Sequence, residues 1–212
     1  MISSVTSSLA TGSRLLEFIP KCCSAVLFRC HFLVDKVRHV AYSSFVAGSG
    51  AYHCGWGTAE LSGAMTNTGL NKGYKLAPSL NYQIIHGTFI GATGVCGVLE
   101  GLNSFGWINY GKIATTVCSA GSIFFLYANI AALEESVRIY EELQKHEIEG
   151  GLVEQEKNAF RKCAAIWGIL SNLGYIVATA CVLFGASTAM AFVFGVIGTL
   201  SGAFKFICDM LL

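Results

Sequence analysis

The segment 163–204, CAAIWGILSNLGYIVATACVLFGASTAMAFVFGVIGTLSGAF, runs for 42 residues between Lys162 and Lys205 without one Asp, Glu, Lys or Arg. A helix that crosses a bilayer needs about 20 apolar residues, so the segment has room for two passes. Near its centre, Gly185-Ala186-Ser187 is small and polar enough to turn the chain. The pattern predicts a helical hairpin with arms at roughly 164–184 and 188–208.

Moving towards the N-terminus, a second uncharged run covers 113–133, is 21 residues long, and is bounded by Lys112 and by Glu134-Glu135. It reads as a span. Residues 76–99 are uncharged too but weaker, since they include Asn81, Gln83 and His86. With Glu100 as its one charge, the segment 84–107 pairs with the next span to make a first hairpin. Trp107, Tyr110 and Lys112 then form an interfacial tip, where aromatics and lysine are favoured. The uncharged region 39–59 holds two His and several Ser and Gly, and its first half has only Val40, Phe45 and Val46 as strong apolar residues. It reads as an interfacial or buried helix in preference to a span.

The whole chain agrees with this reading. Of 212 residues, 53% are hydrophobic and 13% charged, and mean hydropathy is +0.56. A soluble domain is about one quarter charged, and a disordered chain combines low hydrophobicity with high charge. The net charge of +1 lacks the basic excess of a nucleic-acid binder, so no nucleic-acid partner is expected. The expected class is an all-α integral membrane protein built from two transmembrane hairpins, about four spans. An amphipathic N-terminal helix and a polar helical loop complete it. The divisions are 1–20 (Ser/Thr-rich), 21–80 (amphipathic or interfacial), 81–133 (first hairpin), 134–162 (polar loop) and 163–212 (second hairpin). With four spans, residues 1–80, the polar loop and the C-terminus share one side, and 13 of the 14 basic residues lie there, all but Lys112.

The N-terminal stretch shows no basic region followed by an apolar core, the pattern of a secretory signal. Residues 1–13 are rich in Ser and Thr. Beyond them Val26, Leu27, Leu33, Val34 and Val37 form an apolar stripe against Arg29, Lys36 and Arg38, as in a basic helix lying on an anionic membrane surface. The nine cysteines include no Cys-x-x-Cys pair, so neither a zinc site nor a disulfide framework is expected. Cys22-Cys23 beside basic residues is a site where acylation is conceivable, with plain packing the simpler reading.

One motif tempts a catalytic reading. Gly91-Ala92-Thr93-Gly94-Val95-Cys96-Gly97 looks like the glycine turn of short-chain dehydrogenases. No acid occurs between Glu100 and Glu134 to hold a ribose, and no Tyr has Lys four residues later. No alternating strand–helix pattern precedes it. The glycines are read instead as helix-packing surfaces: Gly87 with Gly91, Gly97 with Gly101 and Gly198 with Gly202 place small residues one turn apart. Such faces suit tight packing or a homo-oligomer. The five histidines form no metal-ligand spacing, and no catalytic, cofactor or metal site is expected. Glu100 is the one acid inside an expected span, which makes it a candidate functional residue.

The loop 134–162 holds eight acids and five bases. Glu134 and Arg138 have the favourable i,i+4 order, and Val137, Tyr140 and Leu143 share a stripe with Leu133. This is a water-facing helix stopped by Gly150-Gly151, with a shorter helix leading into the last hairpin. Its stripe could dock a soluble partner.

Paired apolar lobes around a short turn at 163–204, short polar segments, a Ser-rich start and no secretory pattern together resemble the inclusion membrane proteins of chlamydiae. That family is defined by a bilobed hydrophobic domain. The resemblance implies type III secretion, insertion into the host vacuole (inclusion) membrane, and termini facing the host cytosol, where a host protein could be recruited at 134–162. It rests on hydropathy shape, so no functional residue carries over. The expected function is a non-enzymatic scaffold or interaction protein. Alternatives are a small transporter or channel using the polar, Gly-rich span 84–107, and a membrane-shaping protein.

Overall fold

The computed structural model describes residues 35–66, 78–145 and 152–211. Of the amphipathic segment expected from Lys21 to Arg38, residues 21–34 lie outside them, Cys22 and Cys23 included, and its last four residues open the first helix. Five helices follow one another: α1 (Asp35–Thr66), α2 (Leu80–Ser104), α3 (Ala114–Lys145), α4 (Leu152–Leu183) and α5 (Thr188–Met210), with a 3-10 turn at Gly111–Ile113 before α3. Among the described residues there is no strand. α2, α3, α4 and α5 are long and apolar enough to cross a bilayer, so the chain is an all-α membrane protein.

The helices pack in chain order, each on its neighbour, as short antiparallel connections require. Two pairs are drawn together most closely, α1 with α2 and α4 with α5, and α3 joins them. Phe89 of α2 stacks on Tyr127 of α3 at 5.1 Å, and Phe125 of α3 meets the edge of Tyr175 of α4 at 6.0 Å. The sequence pairs 84–107 with 113–133; α2 does turn into α3, but its tighter partner is α1.

Both sharp turns use the same device. After α4 the backbone of Gly185 takes φ +65, with Ala186 N–H donating to the Cys181 carbonyl at 2.8 Å and Gly185 N–H to that of Val182 at 3.4 Å. After α2, Gly106 (φ +76) donates to the Asn103 carbonyl and Trp107 N–H to that of Leu102. These are Schellman ends, and a left-handed residue without Cβ closes them without strain. Trp107 is 75% exposed at the tip of the α2–α3 turn.

Burial is inverted relative to a water-soluble fold. Ile166, Leu170, Val193, Ile197, Leu200 and Phe204 face outward. The buried positions include Ser43, His53, His86, Asn129, Ser171 and Thr199. Lipid tails are as apolar as leucine, so large apolar side chains gain little by turning inward, whereas polar groups need partners.

α3 and α4 are longer than the bilayer requires. At 32 residues each they run about 48 Å. Their polar halves therefore continue the spans as unbroken helices. The polar helix expected at 134–149 is, as far as Lys145, the end of α3, and the shorter one leading into the last hairpin is the start of α4.

Candidate functional site

The seam between α1 and α2 gathers the polar groups. On α1, Ser43, Ala47, Gly50, Cys54 and Gly57 recur at alternating spacings of four and three, and on α2 Gly87, Gly91, Gly94, Val98 and Gly101 do the same. That spacing keeps one stripe facing a neighbouring helix. The two stripes meet in a constant antiparallel register. A Cβ on Gly50 would lie 2.3 Å from Val98 N, one on Gly57 2.5 Å from Gly87 O, and one on Gly94 2.3 Å from Cys54 N. A Cβ on Gly101 would sit 2.5 Å from that of Ala47. The backbones approach so closely that only hydrogen fits.

This places each glycine singled out in the sequence. Gly87, Gly91, Gly97 and Gly101 lie against α1, at Glu60 and Gly57, Gly57, Gly50 and Ala47 respectively. Gly198 and Gly202 lie against Ser171 of α4. All six are thus occupied within one chain, and none argues for a second copy.

At one end of the α1–α2 seam a carboxyl meets an imidazole. His86 Nδ1 lies 2.6 Å from Glu60 Oε2, with side chains 4% and 15% exposed. Tyr82 OH donates to Glu60 Oε1 at 3.5 Å. The His86 ring is stacked on Tyr82 (4.9 Å between centroids) and meets the edge of Trp56 at 4.7 Å. Tyr82 and His86 are one turn apart on α2, as Trp56 and Glu60 are on α1, so helix geometry alone puts them together. His86 is about 9 Å along α2 from its first residue, inside the span.

At the other end, Tyr42 OH donates to Glu100 Oε1 at 3.0 Å, and the hydroxyls of Ser43 and Ser104 lie 2.6 Å apart. Tyr110 OH donates to the Leu99 carbonyl. Glu100 lies four residues from the end of α2, about 6 Å from the turn. Its partner is the α1 tyrosine, whereas His86, on the same helix, is taken by Glu60.

A third polar group fastens α2 to α3 where the spans meet water. Ser79 caps α2, accepting from Tyr82 N–H at 3.2 Å. Ser79 N–H and Oγ donate in turn to Glu135 Oε1 and Oε2 at 2.8 and 2.9 Å. Arg138 clamps the same carboxylate through Nε and a terminal nitrogen (2.9 and 2.7 Å) and reaches Glu142 at 2.8 Å. Spacing in the sequence pairs Arg138 with Glu134; the structure gives it Glu135 and Glu142, because Glu135 is already held at Ser79. Burial works to raise the Glu135 pKa, but the hydrogen bonds from Arg138 and Ser79 outweigh it, and the carboxyl is held below its ordinary value. The guanidinium of Arg138 is raised, first by its hydrogen bond to Glu135.

The expected docking stripe needs correction. Leu143 is 3% exposed, too deep to meet a partner, while Val137 and Tyr140 are half-buried. Because α3 and α4 lie side by side beyond the bilayer, the apolar stripe is drawn inward. Glu134, Glu141, Gln144 and Lys145 form the exposed side.

Among the described residues no group of His, Cys, Asp and Glu could hold a metal ion. Sequence reasoning missed Glu60 and the whole α1 stripe. The available signal was the complementary four-three spacing of small residues at 43–57 and 87–101. No protein-family model, curated protein or solved structure matches this chain.

Proposed function

We propose that this multi-span membrane protein is a non-enzymatic scaffold in an inclusion-type vacuole membrane, presenting its α3–α4 extension to the cytosol as a docking pier. The observation that carries the reading is the continuity of α3 from an apolar span into a charged segment. Twelve residues from Glu134 to Lys145 extend the helix by about 18 Å without a break. The Arg138 clamp on Glu135 and Glu142 stiffens its base, and Glu134, Glu141, Gln144 and Lys145 stand exposed. A rigid, charged pier suits recognition of a soluble host protein bearing complementary charge. The hydropathy shape of 163–204 supports the choice of membrane. Glu60 with His86, Ser43 with Ser104 and Tyr175 with Thr199 are engaged with one another, which suits structure better than turnover.

Proximity labelling from an enzyme inserted between α3 and α4 tests this. Soluble proteins labelled in preference to those reached from the 184–187 turn support the scaffold; labelling of bilayer neighbours alone overturns it. A second reading, a small transporter, draws on the Glu60–His86 pair inside the span, since ionisable groups there often mark transport paths. Solute or proton flux in proteoliposomes that Glu60→Gln abolishes would favour it over the scaffold.

A further inference from the structure

We infer that α1 crosses the bilayer as a fifth helix, carried by its seam with α2, so that the chain before α1 lies on the opposite side from the α3–α4 extension. The inference goes beyond the scaffold reading and stands without it.

Contacts between α1 and α2 extend from Tyr42 at Glu100, through Ala47 at Gly101 and Gly50 at Val98, to Glu60 at His86. Eighteen residues of α1 separate the first from the last, a rise of about 27 Å, close to the ~30 Å hydrocarbon thickness. α2 is a spanning helix, and two helices whose backbones touch along that length share one depth. An interfacial helix, lying in the membrane plane, would cross α2 at a point.

The composition of α1 explains why hydropathy passes over it. Its run 39–59 has no Asp, Glu, Lys or Arg and is 21 residues long, enough for one crossing. Part of what lowers its apolarity is turned towards the bundle: Ser43 is 0% exposed, Gly50 and Gly57 are sealed against α2, and His53 is buried with its ring 6.2 Å from Phe125 of α3. The outward positions are Val40, Tyr42, Ser44, Gly48, Ala51, Gly55, Thr58 and Ala59, small or apolar for the most part. The hydroxyl of Thr58 donates back to the Cys54 carbonyl at 2.8 Å, which spares it an unmet hydrogen bond in lipid. The carboxylate of Glu60, next along α1, meets His86.

The charge rule argues the other way, since Arg14, Lys21, Arg29, Lys36 and Arg38 would be separated from the remaining basic cluster. The seam is the stronger constraint. Charge bias influences which way a helix inserts, whereas a closed backbone seam over the bilayer's thickness admits one depth only. The protein then offers polar chain on both faces of its membrane, a basic Ser/Thr-rich segment on one and the α3–α4 pier on the other.

Protease protection of the full-length protein in sealed membrane vesicles tests this with every native cysteine in place. One epitope precedes Met1 and a second is inserted between Glu149 and Gly150. Five crossings predict that only one epitope is cut before detergent is added. If both are cut, or both survive, the inference fails. In Gly94→Leu, which wedges the seam, the N-terminal epitope is expected to join the loop epitope on its side. Its staying opposite would overturn the role given to the seam.

Discussion

The two close helix pairs solve the same problem with different chemistry. Between α4 and α5 the hydrogen bonds across the seam are neutral: Ser171 Oγ donates to the Gly198 carbonyl at 2.7 Å, Tyr175 and Thr199 hydroxyls meet at 3.0 Å, and a Cβ on Gly174 would lie 2.6 Å from Gly198 N. Outside that seam both helices carry large apolar side chains. Between α1 and α2 the seam is longer and ends on the Glu60–His86 pair, and the outer face of α1 is made mostly of small residues. The contrast teaches that hydropathy reports what a helix shows to lipid and what it hides with equal weight. A helix that hides polar groups behind a glycine seam therefore scores as if it belonged in water.

The largest expected difference between the pairs comes from their polar contacts. Glu60→Ala leaves His86 buried without its carboxylate and is expected to cost about 3 kcal/mol. Ser171→Ala removes one neutral hydrogen bond and should cost about 1 kcal/mol. Thermal unfolding in one detergent ranks them, and equal losses would erase the distinction between the seams. Backbone closeness comes next. Gly94→Ala drives a Cβ into Cys54 N and Gly50 O, at 2.3 and 2.6 Å, and should lose about 2 kcal/mol. Gly195→Ala meets only the Ala178 Cβ at 4.0 Å and should leave the midpoint unchanged.

The Glu135 clamp at the head of α2 makes a pH-dependent contribution to stability. The carboxyl pKa is lowered in the folded chain, so the clamp stabilises fully above the unfolded carboxylate pKa of about 4.3. That contribution falls away as pH drops through the folded value. An acid titration of unfolding midpoint should show this loss, and Glu135→Gln should flatten it; an unchanged slope would remove the clamp from the account. The smallest effects concern glycines away from any seam. Gly185→Ala has open space but φ +65, and about 1 kcal/mol of strain is expected. Gly55→Ala in α1 has open space and helical φ, and should gain roughly 0.5 kcal/mol. A loss at Gly55 would mean that another surface covers the outer face of α1.

Much of the architecture was readable one segment at a time. The uncharged runs around 113–133 and 163–204 became α3, α4 and α5, and the turn at 185–187 fell where small polar residues interrupt the apolar run. Gly150-Gly151, the expected helix stop, lies outside the described residues. The candidate site was less accessible. Glu100 was identified from its place in a span, but its partner Tyr42 is 58 positions away. Glu60 closes an uncharged run and looks like an ordinary boundary residue until α2 is laid beside it. Leu143 shared a stripe with Val137 and Tyr140, and nothing local told which of them the fold would bury most deeply.

The sequence by itself determined how many helices are apolar enough to cross the membrane and roughly where they begin and end. Those properties are local, because a span must satisfy its backbone internally and show lipid an apolar surface over a fixed length. Only the tertiary structure decided that α1 lies along α2, that Glu60 meets His86, and that Ser79 closes on Glu135 and Arg138. Such pairings depend on the register of one helix against another. That register is set where glycines let two backbones touch, a relation between distant segments that no single stretch contains.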